Sequence, residues 1–483
     1  MNFRAVFRLV SCVLLVMGLA QGVCAALAVP LGDAPATRDA FALAALAPLL
    51  AGACGLLLTR GGAGGLRPRD GFGVVVLGWL FAALAGALPY LFTGAAPTFA
   101  AAFFDSMSGL TTTGATTMPD VEALPRALVL WAAATQFIGG LGVLVLMVAL
   151  LPLIGNGGMS LFRAEATGPV KNRLTPRIAT TAKILWGVYC GLTLCETLLL
   201  RLAGVSWFES VCHAFSSMSS GGFSTRNAGV AGFHSPLVEA VVIVFMLLSG
   251  VNFSLMFRAL RGDLRGAWRD SELRFYVCVW LTLCGLFTAG LFLSSASSLA
   301  ASARAAFFTV TSFLTTTGFT ASDYSAWPNF LRFPLFLLLF LGACAGSTSG
   351  GVKMVRVLAA LRFAANEIRR WVRPQAVVPV KINETPLDAA VLHNILGFIV
   401  LYVLAFAAGA LAMSFFYPDL FSAAGTAASM LSNTGPGFNA TGPGQNFSTL
   451  PGAGQVFLAF LMMLGRLELY TVLALFTPSF WRR

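Results

Sequence analysis

The sequence predicts an all-α polytopic membrane protein of about ten transmembrane helices plus four re-entrant pore half-helices. These form four pseudo-symmetric helix, pore loop, helix repeats around one pore. Three observations carry that reading. Hydrophobic residues make up 57% and charged residues 10% of the 483 positions, with a mean hydropathy of +0.82, which lies outside soluble composition. A hydroxyl-rich stretch closing on glycine then recurs four times, as Thr111-Thr112-Thr113-Gly114, Ser219-Ser220-Gly221-Gly222, Thr315-Thr316-Thr317-Gly318 and Ser432-Asn433-Thr434-Gly435, at gaps of 108, 96 and 117 residues. Finally, each copy follows an apolar run (99–110, 207–218, 303–314 and 420–431) too short to span a bilayer, which takes about twenty residues. Irregular backbone at such depth is tolerable only where it lines a water-filled path.

Taken in order, residues 1–70 read as a two-helix hairpin, with spans at 9–29 and 40–58. A cleaved signal peptide is the competing reading for the first span, but its apolar core would be shorter and another span follows at once. A basic turn with Arg60, Arg67 and Arg69 closes the hairpin. Repeat one, 71–160, holds spans at 71–93 and 127–153 around Gly114, and repeat two, 161–270, holds 181–202 and 237–260 around Gly222. Repeat three, 271–375, holds 275–293 and 331–361 around Gly318, and repeat four, 376–483, holds 389–416 and 452–476 around Gly435.

The net charge of +12 does not indicate nucleic acid, because the basic residues lie at the ends of apolar spans. Of the 31 Lys and Arg, all but Arg38, Arg126, Arg201, Arg226, Arg304, Arg332 and Arg466 fall on one side of the ten-span topology. The positive-inside rule makes that side cytoplasmic and places both termini there, with the glycine stretches entering from outside. Asp33, Asp39, Asp105, Asp120, Glu122, Glu209, Glu239, Asp323 and Asp419 then fall at or near the outer face. They read either as a cation-concentrating entrance or as ordinary loop acids and pore-helix caps. The nine cysteines form no Cys-x-x-Cys pair and the three histidines are mutually distant, so neither a zinc nor a disulfide framework is supported.

A cation leaving water needs oxygen dipoles in place of its hydration shell, and backbone carbonyls supply them without fixed charge. Aiming successive carbonyls to one side takes dihedrals that glycine reaches most easily. The preceding half-helix turns the negative end of its dipole toward the same point. One Thr-Thr-Gly is a weak signal, more often a packing glycine; four in register are not. The expected filter residues are Thr112, Thr113, Gly114, Ser220, Gly221, Gly222, Thr316, Thr317, Gly318, Asn433, Thr434 and Gly435. The stretches carry no Asp or Glu ring, which favours a weakly hydrated monovalent ion.

Two features remain. The run from Gly342 through Gly346, Ser347, Thr348, Ser349 and Gly350 to Gly351, with Lys353 just after it, interrupts a span with residues unfit for a helix interior. It reads as an intramembrane gate below the filter; a kinked, closely packed helix is the alternative. Arg466 lies inside the last apolar span, where a charge costs at least about 2.5 kcal/mol. It is expected to face the pore axis and donate to carbonyls of that loop, with Glu468 paired elsewhere, to a neighbouring helix or Lys353. Glu196 is also intramembrane and reads only as a buried polar contact.

The four stretches, the Gly342–Gly351 run with Lys353, and the closing Gly465-Arg466-Leu467-Glu468-Leu469 resemble the Trk/Ktr/HKT potassium transporter superfamily, most closely its bacterial TrkH-type membrane subunit. The resemblance covers the whole chain, including the extra hairpin. It implies potassium as the permeant ion, a homodimer in the bacterial inner membrane among its lipids, and a cytosolic TrkA-like nucleotide-binding regulatory subunit acting on the intramembrane loop. It implies no enzyme activity and no organic cofactor. Glycine at all four filter positions goes, in that superfamily, with potassium passage. Repeats two and four depart from the Thr-Thr-Gly wording. The alternative function is a proton-coupled secondary transporter of another substrate, with Glu196 and Glu468 as carriers.

Overall fold

The computed structural model describes residues 1–60, 68–150, 175–294, 297–375 and 378–481. Most of the basic turn at 60–69, the repeat boundary at 160, and Arg163, Lys171, Arg173, Arg482 and Arg483 lie outside them. Among the described residues, seven helices are long and apolar enough to cross a membrane, and two further pairs of helices each pass that test jointly across a sharp bend. A short antiparallel hairpin pairs Lys381–Ile382 with Thr385–Pro386. Its turn residue Asn383 accepts from the backbone N–H of Ser271 at 2.7 Å, tying it to the start of repeat three.

Phe3–Ala28 and Pro35–Leu58 form the predicted N-terminal hairpin. It docks on repeat one through side chains that satisfy backbone groups of that repeat. Gln21 Nε2 donates to the Ala85 carbonyl at 2.8 Å. Asp33, in the hairpin turn, accepts from the N–H groups of Arg126 at 2.8 Å and Ala127 at 2.7 Å, where the helix Arg126–Leu150 begins. Helix starts leave such donors unpaired.

The four pore helices are Phe99–Leu110, Trp207–Met218, Leu299–Leu314 and Leu420–Ser432. Each starts at a hydroxyl or carboxylate cap: Thr98, Ser206, Ser298 and Asp419 accept from the first-turn N–H groups, the residue types that an N-cap favours. The third helix starts four residues before the apolar run seen in the sequence, because Ser298 rather than an apolar residue sets its start. One hydrophobic cluster joins repeats one and four through Phe104, Trp131, Met430 and Met462, and a second joins repeats three and four through Phe313, Leu335 and Phe438. Further clusters join repeats one and two through Leu144 and Tyr189 and repeats two and three through Val242 and Phe308, which closes the ring of repeats.

Two spans that read as continuous in the sequence are broken, and a third is interrupted where the sequence predicts it. The second span of repeat two bends by 105° between Pro236–Ser249 and Phe253–Leu260. The freed backbone is satisfied by the intramembrane loop, with Cys344 N–H donating to Gly250 O at 3.0 Å and Phe253 N–H donating to Gly346 O at 3.1 Å. The last span bends by 116° between Gly452–Arg466 and Leu469–Leu475, with Glu468 at φ +58°. Arg466 therefore ends a helix instead of lying within one. In repeat three, Asn329–Leu338 and Met354–Val372 flank the expected non-helical run.

Candidate ion-conduction site

Each pore helix ends in the same way. The residue two before the filter glycine (Thr112, Ser220, Thr316, Asn433) has φ of 54° to 58°, and the glycine (Gly114, Gly222, Gly318, Gly435) has φ of 78° to 99°. The N–H of Thr113, Gly221, Thr317 and Thr434 reaches back to the carbonyls of Ser108, Ser216, Ser312 and Ser429 at 2.7–2.9 Å. The N–H one residue earlier bonds Gly109, Ser217, Phe313 and Met430 at 3.0–3.2 Å. This is a Schellman closure, whose left-handed residue is usually glycine. Threonine or serine there costs about 1–2 kcal/mol, and the side chain supplies the reason for keeping it. Thr316 Oγ1 accepts from Gly350 N–H at 2.7 Å, Ser220 Oγ pairs with Thr348 Oγ1 at 2.7 Å, and Asn433 Nδ2 donates to Met462 O at 2.8 Å and Thr113 Oγ1 at 3.1 Å. Thr112 Oγ1 makes no hydrogen bond.

The four glycines form a closed ring. A Cβ built on Gly114 would collide with the carbonyl oxygen of Gly221, one on Gly222 with that of Thr317, one on Gly318 with that of Thr434, and one on Gly435 with that of Thr113. The carbonyl before each glycine thus abuts the glycine of the preceding repeat. One 170 Å³ cavity opens above the ring and is lined by all four glycines. At three repeats the threonine before the glycine is braced from its own chain: Thr113, Thr317 and Thr434 hydroxyls each pair at 2.8 Å with Thr111, Thr315 and Ser432.

Repeat two has Gly221 at that place, and Gln136 from the helix Arg126–Leu150 fills the space. Its Nε2 donates to the Gly221 carbonyl at 2.7 Å, and its Oε1 accepts from Phe223 N–H at 3.3 Å. The departure in wording at repeat two is therefore a replacement in space, and Gln136 was missed in the sequence. Its signal was a lone amide inside an apolar span.

Below the ring lies the loop of Gly342, Gly346, Ser347, Thr348, Ser349, Gly350 and Gly351. Gly350 abuts the Ser432 carbonyl, and Thr348 Oγ1 donates to Met218 O at 3.0 Å. From the other side Arg466 Nη1 donates to Thr348 O at 2.6 Å, while its Nε and Nη2 make no hydrogen bond. Lys353 Nζ donates to Ser349 O. The loop is thus held between repeat two and repeat four, directly beneath the filter stretches. Its base is fixed by two residues the sequence reading passed over. Glu272 Oε1 accepts from Ala345 N–H at 2.7 Å and Val355 N–H at 2.9 Å. Arg356 pairs with Glu468 at 2.7 Å and lies 4.1 Å above the Phe398 ring. Glu468 is therefore not partnered by Lys353.

Several of the outer acids hold structure: Asp33 and Asp419 cap helices, Glu209 pairs with Arg226 and Glu239 with Arg304. Glu196 is fully buried, beside Ser217.

Four re-entrant helices that close on one ring of backbone carbonyls within a bundle of apolar spans define a membrane cation pathway. The family model for TrkH, described as a cation transport protein, matches residues 39–483. This chain belongs to that family. It is 41% identical over 423 residues to the Trk system potassium uptake protein TrkH of Salmonella typhimurium, covering 87% of each chain. It is 37% identical to TrkH of Halomonas elongata over 100% of both. The crystal structure of the potassium transporter TrkH from Vibrio parahaemolyticus superposes with a TM-score of 0.91 at 34% identity, covering 100% of both chains.

Proposed function

We propose that this protein is the membrane subunit of a potassium uptake system in the bacterial inner membrane, with both termini cytoplasmic and the 170 Å³ cavity facing outward. The observation that carries this reading is the closed ring in which each filter glycine meets the carbonyl of the next repeat. A potassium ion entering the cavity gives up water in exchange for the carbonyls before and around Gly114, Gly222, Gly318 and Gly435. Because those carbonyls carry partial rather than full charge, a large monovalent ion is held loosely enough to leave.

Below the filter, the loop from Gly342 to Gly351 is the gate. Lys353 and Arg466 place two cationic side chains against it, which raises the barrier to a cation while the loop is docked. Displacing the loop toward the cytoplasm opens the path. A TrkA-like nucleotide-binding subunit at the cytoplasmic face supplies the work for that displacement, and the transporter acts as a homodimer. The engagement of Glu468 by Arg356 argues against its serving as a proton carrier.

The test is potassium and sodium flux into liposomes holding the purified protein. Wild type is expected to pass potassium over sodium. Gly114→Ser places a Cβ against the Gly221 carbonyl at a φ of +79° and is expected to lose that preference, and Arg466→Ala to raise potassium flux. Unchanged selectivity in Gly114→Ser, or transport abolished by Glu196→Gln while the filter variants behave as wild type, would overturn the reading in favour of a proton-coupled carrier.

A further inference from the structure

The position nine residues before each filter glycine is Asp105, His213, Thr309 and Thr426 in repeats one to four. These four residues are of three different types, yet each is buried and each is tied to the chain that climbs away from its own filter. Asp105 Oδ1 accepts from Thr116 Oγ1 at 2.6 Å, both its oxygens lie 3.2 Å from Thr117 N–H, and Oδ2 accepts from Thr117 Oγ1. His213 Nδ1 donates to Glu209 O at 2.9 Å, which leaves Nε2 to accept from Ser224 Oγ at 3.1 Å. Thr309 Oγ1 pairs with Ser322 Oγ at 3.2 Å, and Thr426 Oγ1 with Thr441 Oγ1 at 2.9 Å.

We propose that these four residues are a set of positioning ties that fix the outer half of the filter, and that the tie of repeat one, Asp105 to Thr116 and Thr117, is the one that sets ion discrimination. This rests on the filter reading above. On that reading the carbonyls turn toward the ion, and apart from Gln136 at Gly221 the pore side offers the backbone little restraint when an ion departs. Restraint has to come from behind. A pore helix is the rigid body available there, and nine residues back from the glycine is where its outer part stands beside the returning chain. Repeat one carries the strongest tie, because a buried carboxylate receives one backbone and two hydroxyl donors, and hydrogen bonds to a charged acceptor are about twice as strong as neutral ones. The other three repeats have one neutral hydrogen bond each. Asp105 also lines the outer cavity with Gly114, so the tie reaches the mouth of the filter. A loosened mouth can shrink around a smaller ion, and discrimination against sodium falls before conduction does.

The experiment measures the potassium-to-sodium flux ratio, and separately the maximal potassium flux, of the full-length protein in liposomes. Asp105→Ala, Asp105→Asn, Thr117→Val, the double variant and Thr309→Ala are compared, with Gly114→Ser alongside. Asp105→Ala and Thr117→Val are each expected to lower the ratio by at least about tenfold, since the first removes all three hydrogen bonds to the carboxylate and the second removes one. Maximal potassium flux is expected to stay within about twofold of wild type, since the carbonyl ring remains. Asp105→Asn keeps one acceptor oxygen and is expected to recover part of the ratio, the double variant to be no worse than either single one, and Thr309→Ala to shift the ratio less than Asp105→Ala. Should Asp105→Ala fail to accumulate, Thr117→Val and Asp105→Asn carry the test. Protein that runs as wild type on gel filtration with an unchanged ratio in these variants, while Gly114→Ser has lost discrimination, overturns the ties and leaves the filter intact. No effect of Gly114→Ser overturns the filter reading itself.

Discussion

Gln136 shows how a single side chain can belong to a structure built by another repeat. At three repeats a threonine hydroxyl braces the residue before the filter glycine from within its own chain. At Gly221 the brace arrives from the neighbouring helix. An amide that donates directly to a filter carbonyl sets the orientation of that carbonyl and shares its lone pairs with the permeating ion. Gln136→Leu keeps most of the volume and removes the donor. A neutral hydrogen bond is worth about 1 kcal/mol, so the ratio of potassium to sodium flux is expected to fall roughly fivefold, with protein yield unchanged; rubidium uptake in the same liposomes reads whether the cage has loosened or closed. This residue was not legible from the repeat pattern, since its function is set by contact across 85 positions of sequence. The four glycine turns themselves were legible, because four copies in register single out glycines that one copy would not.

At the scale of elements, three of the four pore helices were legible to within a residue from their apolar runs, while the third starts four residues earlier, at the Ser298 cap. The broken spans were not. The helix from Pro236 has no proline at its bend. It stops at the Gly250 cap and restarts at the Asn252 cap, a local signal the sequence reading passed over, and Gly250 O and Phe253 N–H pair with a loop almost a hundred residues further on. The Gly342 to Gly351 run was legible as non-helical by composition alone, but its anchorage was not. Glu272 joins the two ends of this element, and Glu272→Ala leaves the Ala345 and Val355 amides without their acceptor. At about 1–3 kcal/mol for each buried unsatisfied donor, the docked loop is expected to open more often. The check is hydrogen exchange of peptides spanning 342–356, faster in the variant, together with a higher basal potassium flux in the absence of any partner.

For the molecule as a whole, the order of repeats and the presence of an extra hairpin could be counted in the sequence, whereas how the hairpin docks could not. Asp33 caps the helix that begins at Arg126 from 93 residues away, so the hairpin reports on the outer end of repeat one. Removing a cap costs about 0.5–2 kcal/mol. Asp33→Ala is expected to lower the melting temperature in detergent with ion selectivity untouched, which separates hairpin docking from filter integrity. The glycine ring has a further property at this scale. Each glycine leans on the carbonyl of the copy that follows it, and the last leans on the first. The circuit therefore has a direction, like a row of shingles. A bulky residue in one copy first displaces the next copy and reaches the opposite one only through an intermediary. Substitutions in successive copies, Gly114→Ala with Gly222→Ala, are expected to show non-additive effects on flux of about 0.5–3 kcal/mol, and substitutions in opposite copies, Gly114→Ala with Gly318→Ala, to come closer to adding. Four stretches with the same backbone turn would then be unequal neighbours, each protected on one side and vulnerable on the other.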